Sequence, residues 1–102
     1  MSAQHEFLVE FDVDIPAHVP EPDVAELWRA EGVAASELAD SGHLTRVWTG
    51  PEGKVIALYR AGSKSELDGL LRGLPLHKWM HVKTVPLGPH PNDPATGGAR
   101  ES

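Results

Sequence analysis

His43 to Arg60 reads HLTRVWTGPEGKVIALYR, and the architecture follows from what lies on either side of it. His43–Thr49 and Lys54–Arg60 each alternate with the two-residue rhythm of a strand. Gly50-Pro51-Glu52-Gly53 between them is a turn built of residues that interrupt regular structure. The stretch therefore predicts an antiparallel hairpin.

Upstream of the hairpin, a helix should begin near Pro22 and Asp23 and end at Ser41-Gly42. Proline suits a first helical turn, acids there complement the helix dipole, and glycine closes the far end. Val24, Leu27, Trp28, Ala34, Ala35 and Leu38 recur at three- and four-residue intervals as one apolar stripe, with Glu31 in its middle. Ahead of this helix, DIPAHVPEP holds three prolines in nine residues and reads as a loop. Before the loop, Glu6–Val13 (EFLVEFDV) places Phe7, Val9, Phe11 and Val13 on one side of a half-buried strand.

Downstream, Ser63–Arg72 (SKSELDGLLR) opens with a serine cap and Glu66 three residues on, the pattern of a reciprocal capping box, and Gly73-Leu74-Pro75 ends it. Met80–Leu87 supplies a last strand, closed by Pro86. The order strand, helix, strand, strand, helix, strand is the ferredoxin-like βαββαβ α+β fold: a four-stranded antiparallel sheet with two helices on one face. It predicts one domain over residues 1–88 and a flexible tail over 89–102, rich in Pro, Gly, Asn and Asp.

A chain of 102 residues with 40% hydrophobic and 24% charged residues should fold, but its core is thin, so self-association is expected. The net charge of −6, with scattered basic residues, argues against nucleic acid as a partner. Zero cysteines exclude disulfides, thiolate metal sites and a cysteine nucleophile. Met1–Glu10 shows no basic segment followed by an apolar run, and no stretch approaches a membrane span, so a cytoplasmic location is expected.

Three segments carry a family resemblance: FLVEFDVDIP, RAEGVAASELADSGHLTRVW and LPLHKWMHVKTVPLGPHP. In order and spacing the chain resembles the muconolactone delta-isomerases along roughly residues 6–91, and the LPL-x-x-aromatic-M segment is the most distinctive part. The resemblance implies dimers formed by paired sheets (the dimeric α/β barrel arrangement), assembly of dimers into larger rings, and a cleft near a subunit boundary. It also implies a reaction without metal or cofactor that moves a double bond within a five-membered, acidic lactone during aromatic catabolism. Thr49 stands where the isomerases usually have an arginine, Val55 where they have an asparagine, and His77 where they have an aromatic.

Glu31 is the leading candidate for the proton transfer, because an acid on the apolar stripe of a sheet-packed helix is desolvated and its pKa rises toward that of a general base. The matching position in the isomerases also carries an acid. The structural alternative is an ion pair with Arg29 or Arg46. Arg46 alternates with Leu44 and Trp48, which predicts a guanidinium on an apolar strand face, able to grip a substrate carboxylate. Trp48 is the aromatic expected to line the pocket for a flat ring. His43 and His77 exchange protons near neutral pH, and the resemblance places His77 beside the cleft. No histidine pair has the spacing of a helical metal site, and neither a phosphate loop nor a nucleophile elbow is present.

The expected activity is therefore a cofactor-independent proton-transfer isomerase, with Glu31 as shuttle, His77 as polar pocket residue, Arg46 as carboxylate clamp, and Trp48 and His43 at the substrate. The alternative is a small-ligand-binding module of the same fold, non-catalytic or with divergent chemistry.

Overall fold

The computed structural model describes residues 4–96. Strand β1 (His5–Val13) leads through the proline-rich loop to helix α1 (Glu21–Asp40). The hairpin β2 (Leu44–Thr49) and β3 (Val55–Ala61) follows, then helix α2 (Lys64–Arg72) and strand β4 (Met80–Leu87). The sheet order is β2-β3-β1-β4 and every pairing is antiparallel, as the βαββαβ reading predicts. Within one chain the sheet is open, with β2 and β4 as edges. Pro86, which has no N–H to give to a ladder, is tolerated because β4 is an edge strand.

Local signals set the helix ends. Extended Pro20 precedes α1, and Pro22 lies in its first turn with Glu21 and Asp23. Gly42, at φ +85°, turns the chain out of α1, a conformation that glycine adopts without steric cost. At α2 the Glu66 N–H donates to Ser63 Oγ at 3.0 Å, as expected of the cap. The Glu66 carboxylate accepts from the Gly62 N–H, one residue upstream of the donor a reciprocal box uses.

The side of the sheet under the helices carries Phe7, Val9 and Phe11 from β1, and Ala57, Tyr59 and Ala61 from β3. Leu67 and Leu71 of α2 bury onto them, joined by Leu74 from the segment after α2. Helix α1 packs less closely, since none of its twenty residues is fully buried. Its stripe lies over the sheet, but a space remains beneath it.

One expectation is corrected at β2. The register jumps between Leu44, opposite Tyr59, and Arg46, opposite Leu58, so Thr45 forms a bulge. Its hydroxyl donates to the Leu58 carbonyl at 3.0 Å. Leu44 and Val47 therefore lie on the helix side, whereas Arg46 and Trp48 lie on the outer side of the sheet. Simple alternation had grouped Leu44 with Arg46 and Trp48, and the extra residue breaks that grouping.

Of the expected tail, residues 89–96 form a turn and a short 3-10 segment at Pro94–Thr96, and residues 97–102 lie outside the described residues.

Leu67 is fully buried between α2 and the sheet. Leu67→Ala should cost about 2–5 kcal/mol of unfolding free energy, read from urea denaturation, with the far-UV spectrum of the native state retained.

Candidate active site

The space under α1 is a cavity of about 230 Å³, lined from α1 by Trp28, Glu31, Gly32 and Ala35. The sheet contributes Phe11, Leu44, Val47, Val55, Ala57 and Tyr59, and Leu74 contributes from the segment after α2. Among the described residues, the lining side chains are apolar apart from Glu31, Tyr59 and the indole N–H of Trp28. Trp28 and Val47 are 46% and 53% exposed and mark the mouth at the β2 edge. The volume is below the range of drug-sized sites, so it suits a small ring compound.

Glu31 is half-buried on the wall of this cavity. Its Oε1 accepts a hydrogen bond from the Leu76 N–H at 3.0 Å. That N–H is available because Leu76 caps the 3-10 turn His77–Trp79, where the first amides have no partner within the turn. The Leu74-Pro75-Leu76 segment thus reaches back across the fold. Leu74 lines the cavity, fully buried Leu76 anchors the segment, and the Leu76 amide fixes the carboxylate. Burial pushes the Glu31 pKa up, and the Leu76 amide partly opposes that shift. Among the described residues no ion pair restrains Glu31, because Arg29 bonds Glu26 on the exposed face of α1 and Arg46 is on the far side of the sheet.

Tyr59, 2% exposed, is the second polar residue of the cavity. Burial raises its pKa to about 12, helped by the negative charge of Glu31. Nothing in the sequence pattern singles out Tyr59 from the other aromatics except its place beside Ala57 and Ala61 in the alternation of β3, where small neighbours leave room around a phenol.

The other candidates lie elsewhere in the chain. Arg46 stacks over the Trp48 ring at 4.9 Å on the outer face. The His43 ring donates through Nδ1 to the Arg60 carbonyl at 2.8 Å, a backbone tie beside the start of β2. His77 borders a separate polar cleft of about 260 Å³ between α2 and β4, with Lys64, Asp68, Arg72 and Thr84. Glu31 is thus the sequence-selected residue that lines the apolar cavity. Among the described residues, no group of three or more His, Cys, Asp or Glu side chains is placed to hold a metal ion, and no helix is long and apolar enough to cross a membrane.

A ferredoxin-like sheet whose helix side encloses a largely apolar cavity with one desolvated carboxylate defines a small α+β protein with a compact space beside a single half-buried acid. The chain belongs to the muconolactone delta-isomerase family, whose profile matches residues 5–93. It is 30% identical over 88 residues to the muconolactone delta-isomerase of Acinetobacter baylyi, covering 84% of this chain and 91% of that protein. It is 32% identical over 87 residues to muconolactone delta-isomerase 1 of Acinetobacter lwoffii, with the same coverage of 84% and 91%. A crystal structure of muconolactone isomerase superposes with a TM-score of 0.79 at 22% identity, over 86% of this chain and 93% of that one. An uncharacterized protein from Thermotoga maritima shares the fold at a TM-score of 0.54 and 14% identity, over 84% of this chain and all of its own.

Because the native state holds the Glu31 proton more tightly than the unfolded chain does, stability is highest at low pH in this window. It falls as pH rises from the ordinary glutamate range through the raised native pKa. Glu31→Gln should lack that loss, so the gap between its urea midpoint and that of the wild type should widen in favour of the variant across the same window.

Gly32 sits inside α1 with nothing within 4 Å of an added Cβ. Gly32→Ala should stabilise the protein by up to about 1 kcal/mol in thermal melts, whereas Gly32→Leu should fill the cavity and abolish ligand binding.

Proposed function

We propose that the chain is a cofactor-independent isomerase that shifts a carbon–carbon double bond in a muconolactone-like unsaturated lactone, with Glu31 as the proton shuttle. The observation that carries this reading is the Glu31 carboxylate, held by one backbone amide in a cavity lined mainly by apolar side chains. A carboxylate there is a stronger base than one in water, and the orienting Leu76 amide keeps it aimed. The proton to be removed sits on a ring carbon made acidic by the neighbouring unsaturated ester. Glu31 takes it, and the same carboxyl returns it to the far end of the conjugated system.

The relatives named muconolactone delta-isomerase support the substrate class and a place in aromatic catabolism. No Lys, Arg or His lines the cavity. An acidic lactone therefore seats its ring inside and keeps its own carboxylate at the mouth, near Trp28 and Val47, away from Glu31. The same cavity without turnover is the ligand-binding alternative, favoured by the missing cation and by Val55 on the cavity wall.

In deuterated buffer, NMR should show isomer formation with solvent deuterium at the shifted carbon. Glu31→Gln should lower turnover by about 10²–10⁴-fold with the fold intact. Unchanged turnover in that variant would remove Glu31 as the shuttle, and neither conversion nor exchange by the wild type would leave the binding alternative.

The working unit is a homo-oligomer, formed first by two sheets meeting at their outer faces. That face carries Leu8, Ile56 and Leu58 at its centre, with Trp48, Val85 and Leu87 each 39–40% exposed around them. Glu10 and Lys54, bonded at 3.4 Å, add opposite charges to the same region, so the face is suited to a second copy of itself. Leu58→Lys should reduce the solution mass measured by light scattering to that of a monomer, whereas an unchanged mass would place the contact elsewhere.

A further inference from the structure

The proposed reaction leaves one polar group of the cavity unused. The Tyr59 hydroxyl makes no hydrogen bond to any described residue. No polar side-chain atom among the described residues is sealed off without a partner. The hydroxyl of this buried side chain is therefore not shut into dry core, and the space that Tyr59 borders is the cavity of Glu31. Packing alone does not call for it: Phe7 and Phe11 on the neighbouring strand fill their places without a hydroxyl, and a phenylalanine would fill this one. An unpartnered hydroxyl in a largely apolar wall is completed by a ligand or by water.

We propose that Tyr59 is a second catalytic group, whose hydroxyl donates a hydrogen bond to the carbonyl oxygen of the unsaturated lactone while Glu31 removes the proton from the ring carbon at the far end of the conjugated double bond, the γ-carbon. This rests on the proton-transfer reading above. As the C–H bond breaks, its proton passes to Glu31 and its electron pair spreads through the ring to the carbonyl oxygen. The intermediate is a dienolate. Reprotonation by Glu31 at the carbon next to the carbonyl reforms the carbonyl with the double bond moved one position along the ring, and nothing is oxidised or reduced.

The described residues of the cavity wall offer no cation to stabilise the dienolate oxygen. Of the two side-chain donors that line it, the Tyr59 hydroxyl is on a buried side chain, whereas the indole N–H of Trp28 belongs to a side chain 46% exposed at the mouth. Burial and the Glu31 charge keep Tyr59 in the phenol form, able to donate throughout the cycle. Once Glu31 has taken the proton it is neutral, and the negative charge of the cavity has moved to the oxygen that Tyr59 serves.

The test uses Glu31→Gln, which mimics the neutral carboxyl of the intermediate, and 4-nitrophenol, whose phenolate mimics the dienolate. The phenolate band of bound 4-nitrophenol should grow at a pH where the free phenol is un-ionised. Adding Tyr59→Phe should weaken binding at least about tenfold while the melting temperature stays unchanged. Equal affinities, or no phenolate binding to Glu31→Gln, overturn the proposal. In the wild-type background, Tyr59→Phe should lower kcat by about 10²–10³-fold with a smaller change in KM.

The two failures can be told apart. Tyr59-dependent phenolate binding without muconolactone conversion defeats the substrate assignment and keeps the donor. Conversion at the wild-type rate by Tyr59→Phe defeats the donor and keeps the isomerase.

Discussion

The hydrogen bond from the Leu76 amide to Glu31 joins residues 45 apart in sequence, and the site depends on it. It ties the turn after α2 to the middle of α1, two segments that no strand pairing links. A carboxylate on the buried side of a helix costs free energy unless something orients and partly satisfies it, and a single backbone amide does so without neutralising the charge. A guanidinium in the same place would have made a structural ion pair and lowered the basicity of the carboxylate. The arrangement keeps Glu31 desolvated, directed and unpaired with any cation.

The same bond makes sense of the loose seat of α1. With small residues Gly32, Ala34 and Ala35 along its lower side and a carboxylate among them, the helix cannot close down on the sheet as α2 does with Leu67 and Leu71. The gap left behind is the cavity, floored by Ala57 and Val55 and flanked by Phe11 and Tyr59. The chain thus gives up part of an already thin core to hold a ligand-sized space, and α2 and the central strands β1 and β3 carry most of the packing.

Much of this was legible in the residues. The alternation in β1 and β3, the proline-rich loop, the serine cap and the breaker turn are short-range signals, and each element stands within a few residues of its expected place. Glu31 was legible because a charged residue interrupting an apolar stripe violates a strong rule. Arg46 and Trp48 were placed on the wrong side because a bulge leaves no mark on hydrophobic pattern: Leu44, Val47 and Trp48 are all apolar, and only pairing with Leu58 and Tyr59 shows which way each faces. Tyr59 was passed over for a related reason, since a phenol in a core strand looks like packing until the space beside it is known. His43 and His77 carried no local signal that separates a backbone tie from a site residue.

The bulge at Thr45 also changes how β2 can be altered. It shifts the frame between Leu44 and the rest of the strand, so that Val47 shares the helix side with Leu44 and lines the cavity, while Arg46 and Trp48 fall on the outer surface. Each set can drift without disturbing the other, because successive side chains of the strand stand on opposite faces of the sheet. Anyone wishing to retune ligand charge preference from this strand would change Val47, and would leave its two neighbours to whatever the outer surface meets.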